Sequence, residues 1–182
     1  MFDPVFSALE RHYLEMQGCE VLAHNDEGRC VARTPTLFFL PHCGRQLYSN
    51  LLGANWSAAQ LPGIRVLGNS FGAYGEAIPD GKRQQVARWC ALARAAPITE
   101  EQTCGQPAAG RDADFCNAFN NLSFHTFHAK DLPPDGRPFW TLEPQPADDS
   151  LVRRDIVPAA AGSSVGAEQH HERRAEVPPP AT

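Results

Sequence analysis

The segment Thr34–Trp56 constrains the fold more than any other part of the chain, because a short apolar run is followed by a turn and then by a helical pattern. Thr36–Leu40 is nearly all apolar, which is typical of a strand covered on both faces in a parallel sheet. Pro41 cannot donate a hydrogen bond to a neighbouring strand, so the strand should end there. Apolar residues then recur at helical spacing as far as about Trp56.

A second unit of the same kind follows. Ile64–Leu67 is a short apolar strand, and Phe71 opens a second predicted helix. Two successive strand–turn–helix units predict an α/β fold, a Rossmann-like three-layer sandwich with a mostly parallel sheet. Ligands of such folds bind beyond the carboxyl ends of the strands. We therefore expect the polar residues that follow the two strands to share one edge of the molecule, namely His42, Cys43, Asn69 and Ser70.

The remaining elements are predicted from periodicity and turn residues. They are a helix over Ser7–Gln17, a strand over Cys19–Ala23, a helix over Gly81–Ala95, a loop over Thr99–Asp114, and a strand over Leu122–Phe127, antiparallel at a sheet edge. Phe139 and Trp140 should anchor the end of the domain on the core.

The composition of the chain changes near Glu143. Residues 1–142 contain the apolar runs and are predicted to form one domain. Residues 143–182 are rich in Pro, Ala and charge, and they cannot bury enough apolar surface to offset the entropy lost on ordering. We predict that this tail is disordered.

Charge and hydropathy exclude several classes of partner. The net charge is -5 without a basic block, which argues against nucleic-acid binding. No apolar run approaches the roughly 18–20 residues of a membrane span. The N-terminus lacks the pattern of a signal peptide, and the six cysteines have no framework spacing. These features predict reduced thiols and a cytoplasmic protein, with the nucleus as a second location.

His42 and Cys43 are open to two interpretations. A cysteine nucleophile needs a neighbouring base to form its thiolate, and a histidine can serve as that base. Adjacent residues at a strand end usually point to opposite sides, however. The alternative, which we favour, is that His42 caps the following helix or bonds a neighbouring loop, while Cys43 packs as a small apolar residue.

Asn69 and Ser70 suit a helix N-cap as well as a ligand site. A side-chain oxygen there satisfies free N–H groups of the following helix, or contacts a ligand at the sheet edge. Ser123 and His125, two residues apart, lie on one face of their predicted strand. They form a further candidate pair, although no acid has a clear orienting position and no G-x-S-x-G turn occurs.

A metal site is not predicted. His125 and His128 are three residues apart, which places them on opposite faces of a strand. Neither CxxC nor HExxH occurs in the chain. Cys-Pro and CxxCH are also absent, so direct haem binding is not favoured. The cofactor, if there is one, cannot be named from the sequence.

Five sequence words together resemble the domain of the sensitivity-to-red-light-reduced proteins of plants, animals and fungi. They occur in the order of that family between about Phe2 and Trp140: DPVFS, TLFFLPHC, LYSNLLGANW, LGNSF, and SFHTF with a following FW. The resemblance implies a regulatory role, in circadian and light signalling in plants and in haem biosynthesis in animals. It implies no established catalytic reaction.

The resemblance also implies a departure at the N-terminus. Members of the family usually carry a strand, a glycine-containing turn and a helix before the DPVFS-like word, whereas this chain starts at that word. We therefore expect an N-terminally truncated sheet. Asp3 stands where a dinucleotide fold would bind a ribose hydroxyl, but the glycine loop that would cradle a pyrophosphate is missing.

Our main interpretation is a regulatory protein without a catalytic reaction. An alternative is an enzyme or small-ligand binder that uses the edge around Asp3, His42, Asn69 and Ser70. A third is an interaction module whose tail or exposed sheet edge binds a partner protein. The expected partner is thus an unidentified protein or small molecule.

Overall fold

A four-stranded sheet, whose first two strands are each followed by a helix, is the centre of the fold. The computed structural model describes residues 1–104 and 113–146 of the 182-residue chain. The strands in those ranges are β1 Thr36–Leu40, β2 Ile64–Asn69, β3 Glu100–Thr103 and β4 Leu122–Thr126. The helices are α1 Ala8–Met16, α2 Arg45–Ala54, α3 Phe71–Glu76, α4 Arg83–Val86, α5 Ala91–Ala95 and α6 Ala113–Ala118. None of these helices has the length and apolar character needed to cross a membrane.

The sheet is mixed, with the order β1-β2-β4-β3. β1 and β2 are parallel, and Leu40 lies opposite Gly68. β4 is antiparallel to both β2 and β3. The prediction of a mostly parallel sheet is therefore wrong for the described strands. β4 lies between β2 and β3 and runs opposite to both, so β1–β2 is the one parallel pair among these four strands. β4 is antiparallel as predicted, but it lies inside the sheet rather than at its edge.

One face of the sheet carries the hydrophobic core. Ile64 and Val66 of β2 are fully buried there. Tyr48, Leu51 and Leu52 of α2 pack against them, as do residues of α3 and α5. The α2 side chains recur three and four positions apart, so one stripe of the helix faces the sheet, as its sequence pattern predicts.

The opposite face of β1 is open. Leu37 is 58% exposed and Phe39 is 60% exposed, although the sequence predicted a strand covered on both sides. The helix α1 starts one residue after the predicted Ser7, which forms a capping box with Glu10, but none of its residues is buried. The expected three-layer sandwich is not confirmed: among the described residues, the helices that supply the buried core, α2 to α5, pack on one face of the sheet.

Three predicted elements differ from the structure. Cys19–Ala23 forms no strand; instead the Leu22 amide bonds to the Met1 carbonyl at 2.8 Å. The predicted helix over Gly81–Ala95 is interrupted at Cys90, whose backbone is extended, and the freed Ala91 amide donates to the Ser49 hydroxyl at 3.0 Å. The predicted loop over Thr99–Asp114 contains β3.

The end of the domain is anchored by aromatic residues, as predicted. Trp56 stacks on Phe139 with the ring centres 5.2 Å apart, and it meets the edge of Trp140 at 5.5 Å. Glu143 forms an ion pair with Arg88 at 2.7 Å. Beyond residue 146, the predicted tail lies outside the described residues.

Gly68 of β2 lies directly beneath Tyr48 of α2, where the helix packs on the sheet. A Cβ at this position would lie 2.7 Å from the Tyr48 ring and 3.0 Å from the Leu40 carbonyl oxygen. We predict that Gly68→Ala lowers the free energy of unfolding by about 1–3 kcal/mol, because Tyr48 is buried and cannot move aside. Urea unfolding measures the change. Gly63→Ala is the control, since a Cβ there meets nothing within 4 Å, and equal effects of the two changes would contradict the prediction.

Phe38 and Phe39 are neighbours on opposite faces of β1. Phe38 packs against the core, whereas Phe39 is 60% exposed. We predict that Phe38→Thr lowers the free energy of unfolding by about 2 kcal/mol, whereas Phe39→Thr changes it by less than about 0.5 kcal/mol. Phe39→Thr should also reduce the fluorescence of a dye that binds exposed apolar surface. A strong destabilisation by Phe39→Thr would show that this face is covered in solution.

Candidate functional site

The parallel β1–β2 pair brings the two strand-end turns together. His42 and Cys43 follow β1, and Asn69 ends β2. The Asn69 side-chain oxygen accepts the His42 backbone N–H at 2.8 Å, which fixes one turn to the other. Ser123 joins the same edge, because β4 begins where β2 ends and Ser123 lies opposite Gly68. The edge that the sequence predicted therefore contains these side chains.

Asn69 connects the two turns through a set of hydrogen bonds. Its side-chain nitrogen donates to the Tyr74 hydroxyl at 2.9 Å, and its backbone N–H donates to the Tyr48 hydroxyl at 2.8 Å. Tyr74 in turn donates to the Cys43 carbonyl, and Tyr48 donates to the Leu40 carbonyl. Both polar ends of the Asn69 side chain are thus bonded to protein, and the residue is 9% exposed.

His42 has an unusual backbone. Its φ is +54°, a conformation that residues other than glycine seldom adopt and that costs about 1–3 kcal/mol. The side chain is exposed, and Nε2 lies 3.4 Å from the Ala118 carbonyl oxygen. The bond from the His42 amide to Asn69 holds the residue in this conformation. The imidazole is consequently presented at the edge in a fixed direction.

Cys43 is not arranged as a nucleophile. Burial raises the pKa of the Cys43 thiol, and the negative charge of Asp3 raises it further. The thiol therefore stays protonated at neutral pH, which removes the reactive thiolate. Asp3 itself accepts the Val5 amide at 3.0 Å and so stabilises the N-terminal turn.

Ser70 acts as the N-cap of α3. Its hydroxyl accepts the Ala73 N–H at 3.0 Å, which is one of the two roles that its position suggested. The same hydroxyl also interacts with the carboxylate of Glu101 on β3. Ser70 therefore connects the strand-end edge to a second group of polar side chains.

This second group, the Glu101 cluster, consists of Glu101, Ser70, Ser123, His125 and the Gly72 amide. Ser123 and His125 are both fully buried on one face of β4, as their spacing predicted. The Gly72 N–H donates to Glu101 Oε2 at 3.0 Å, and His125 Nε2 lies 3.7 Å from the same oxygen. The acid that the sequence did not locate beside Ser123 and His125 is thus Glu101.

His125 is held from two sides. Its ring stacks on Phe71 with the centres 3.8 Å apart and the planes 19° apart. Its Nδ1 lies 3.1 Å from the Val66 carbonyl oxygen. Because a carbonyl oxygen only accepts, Nδ1 carries the proton and Nε2 of the neutral ring has a free lone pair. Burial lowers the pKa of His125, although Val66 and Glu101 oppose that shift.

Glu101 is the member of the cluster that sequence reasoning missed. Burial raises the pKa of its carboxyl, but the Ser70 hydroxyl, the Gly72 amide and Ser123 outweigh burial, and the net pKa is below the ordinary value. Glu101 lies directly opposite His125 across the β3–β4 pair. The polar segment Glu100–Thr103 was not predicted as a strand, because its sequence, EEQT, lacks the apolar alternation on which such predictions depend.

The Glu101 cluster predicts acid sensitivity in two ranges. The pKa of His125 is lower in the fold than its ordinary 6.5, so the unfolded chain takes up the proton first and stability falls as the pH drops below about 6.5. The pKa of Glu101 is also lowered, so its contribution is present above 4.5 and is lost as the pH falls below that value.

Urea unfolding between neutral and acidic pH measures both losses. Glu101→Gln should abolish the loss of stability below pH 4.5. It should enlarge the loss below pH 6.5, because a protonated His125 then has no carboxylate beside it. A free energy of unfolding that stays constant below about pH 6.5 would contradict the assignment.

The chain is similar in sequence to known proteins of one family. The family model for the SRR1 domain matches residues 1–126. Protein SENSITIVITY TO RED LIGHT REDUCED 1 of Arabidopsis thaliana is 41% identical over 128 residues, which are 70% of this chain and 44% of that protein. The SRR1-like protein of Drosophila melanogaster is 32% identical over 142 residues, 77% of this chain and 47% of that protein.

A third relative, the SRR1-like protein of Mus musculus, is 49% identical over 72 residues, which are 39% of this chain and 29% of that protein. The chain spans less than half the length of each of these relatives. No solved structure matches it. With a domain match over residues 1–126, the chain belongs to the SRR1 domain family.

Proposed function

We propose that this chain is a regulatory protein of the SRR1 type that acts in circadian and light signalling or in the regulation of haem biosynthesis. The name of the Arabidopsis thaliana relative, which refers to reduced sensitivity to red light, supports the signalling role. The proposal includes a location in the cytoplasm, with the nucleus as a second location. The expected partner is a protein or small molecule that is bound and not chemically transformed.

The observation that carries this proposal is the bonding of the strand-end edge. Asn69 and Ser70 have hydrogen-bond partners within the protein, and the pKa of the Cys43 thiol is raised. An edge built in this way holds a surface in one shape without supplying an activated nucleophile. His42 is the side chain of the edge that remains presented to solvent.

Expression of the chain in an Arabidopsis thaliana line that lacks its relative tests the regulatory role. We predict that the chain restores the growth response to red light at least in part. Gly68→Ala, which disturbs the core beneath the same edge, should restore it less well at equal expression. An expressed, folded chain that restores nothing would reject the proposal for light signalling.

A second candidate function, small-ligand binding or catalysis at the edge, is favoured by the strained backbone of His42. A residue other than glycine in this conformation costs free energy, and such residues cluster at ligand sites. His42→Gln keeps a donor and an acceptor. It should abolish the response in the plant assay while circular dichroism shows an unchanged fold.

His24→Gln is the matched control for His42→Gln, because His24 is also an exposed histidine in a turn. It should behave as the unmodified chain does. If His42→Gln and His24→Gln both retain full activity, the imidazole of His42 has no role in binding, and the edge is a structural feature alone.

A further inference from the structure

The Glu101 cluster contains two acceptors that face each other. Nε2 of a neutral His125 offers a lone pair, because Nδ1 carries its proton toward the Val66 carbonyl. The Glu101 carboxylate lies 3.7 Å from that nitrogen. Two such acceptors repel each other unless a hydrogen-bond donor or a cation lies between them. The His125 side chain is fully buried, and Nε2 has no hydrogen-bond partner among the described residues.

The 3.7 Å separation suits two ligands of one metal ion. Bonds of about 2.0–2.2 Å to nitrogen and oxygen at a tetrahedral angle place the two ligand atoms roughly 3.4 Å apart. The small remaining difference is within the reach of a glutamate side chain. The Val66 carbonyl, which fixes the tautomer of His125, is the kind of second ligand shell that metal-binding histidines have.

Hydroxyl groups surround the two acceptors. Ser123 Oγ is buried without a hydrogen-bond partner of ordinary geometry, although it lies near enough to help keep Glu101 ionised. Ser70 contacts the same carboxylate. The Glu101 side chain is 21% exposed, so the cluster is reached from solvent along this residue without opening the core.

We propose that Glu101 and His125 bind a divalent transition-metal ion of the zinc, cobalt or manganese class, with the Ser70 and Ser123 hydroxyls beside it. The mixed nitrogen and oxygen donors favour this class over calcium or magnesium. Within the described residues, no three His, Cys, Asp or Glu side chains converge on one point. Hydroxyl groups and water therefore complete the coordination, and the affinity is modest.

A second histidine–glutamate pair provides the matched control. His128, two residues beyond β4, contacts Glu100 of β3, but their side chains are 44% and 65% exposed. Water competes for both partners there, and Thr126 also donates to Glu100 at 3.1 Å. Glu100→Gln therefore removes the same chemical group as Glu101→Gln without touching the cluster.

The experiment is a titration of the untagged full chain with Co²⁺ and, separately, with Mn²⁺. We expect one ion per chain, a Co²⁺ spectrum without a thiolate band, and affinity that falls by at least about tenfold in Glu101→Gln. Glu100→Gln should bind as the unmodified chain does. Circular dichroism checks the fold of both variants.

A measurement on the unmodified chain keeps the test decisive if Glu101→Gln fails to fold. Substoichiometric Mn²⁺ should broaden the ring resonances of His125 in the NMR spectrum before those of His128. Absence of binding, a thiolate band, equal affinity in Glu101→Gln, or earlier broadening of His128 would each overturn the proposal.

Discussion

The packing of Tyr48 over Gly68 is the contact on which the arrangement of the strand-end edge depends. Because Gly68 has no side chain, the Tyr48 ring lies directly over β2 and its hydroxyl reaches both strand ends. The hydroxyl donates to the Leu40 carbonyl and accepts the Asn69 amide. Burial raises the pKa of this hydroxyl, so the group is protonated and remains a donor at neutral pH. One side chain thereby connects α2 to the ends of both β1 and β2.

Local patterns predicted the elements that lie around this contact. Thr36–Leu40 is a strand with the predicted bounds, since its apolar run is ended by Pro41. α2 was recognised because its buried residues recur at helical spacing. Ser7 was placed at the start of a helix, where it forms a capping box with Glu10. These features depend on neighbours within a few residues, which a sequence displays directly.

The features that the sequence did not predict depend on distant partners. The polar segment Glu100–Thr103 is a strand only because β4 supplies its hydrogen bonds. The position of β4 between β2 and β3 could not be predicted from the sequence either. The alternation of Leu122–Phe127 is the same for an edge strand as for an inner strand. Glu101 was missed for this reason, and so was its pairing with His125. The positive φ of His42 also depends on Asn69, a residue of the neighbouring strand end.

Two neighbouring glutamates of β3 contact histidines in two different surroundings: Glu101 faces His125 of β4, and Glu100 contacts His128 just beyond β4. The His128–Glu100 pair is largely in water, where dissolved ions screen charges over about 8 Å at physiological ionic strength. The His125–Glu101 pair has a buried histidine and a mostly covered carboxylate, where screening is weak. Of these two contacts, the exposed His128–Glu100 pair is therefore the one that dissolved ions can weaken. At high ionic strength the Glu100 contact weakens first, while the backbone pairing of β3 with β4 and the bond from the Gly72 amide to Glu101 remain, so loosening of this strand begins at Glu100.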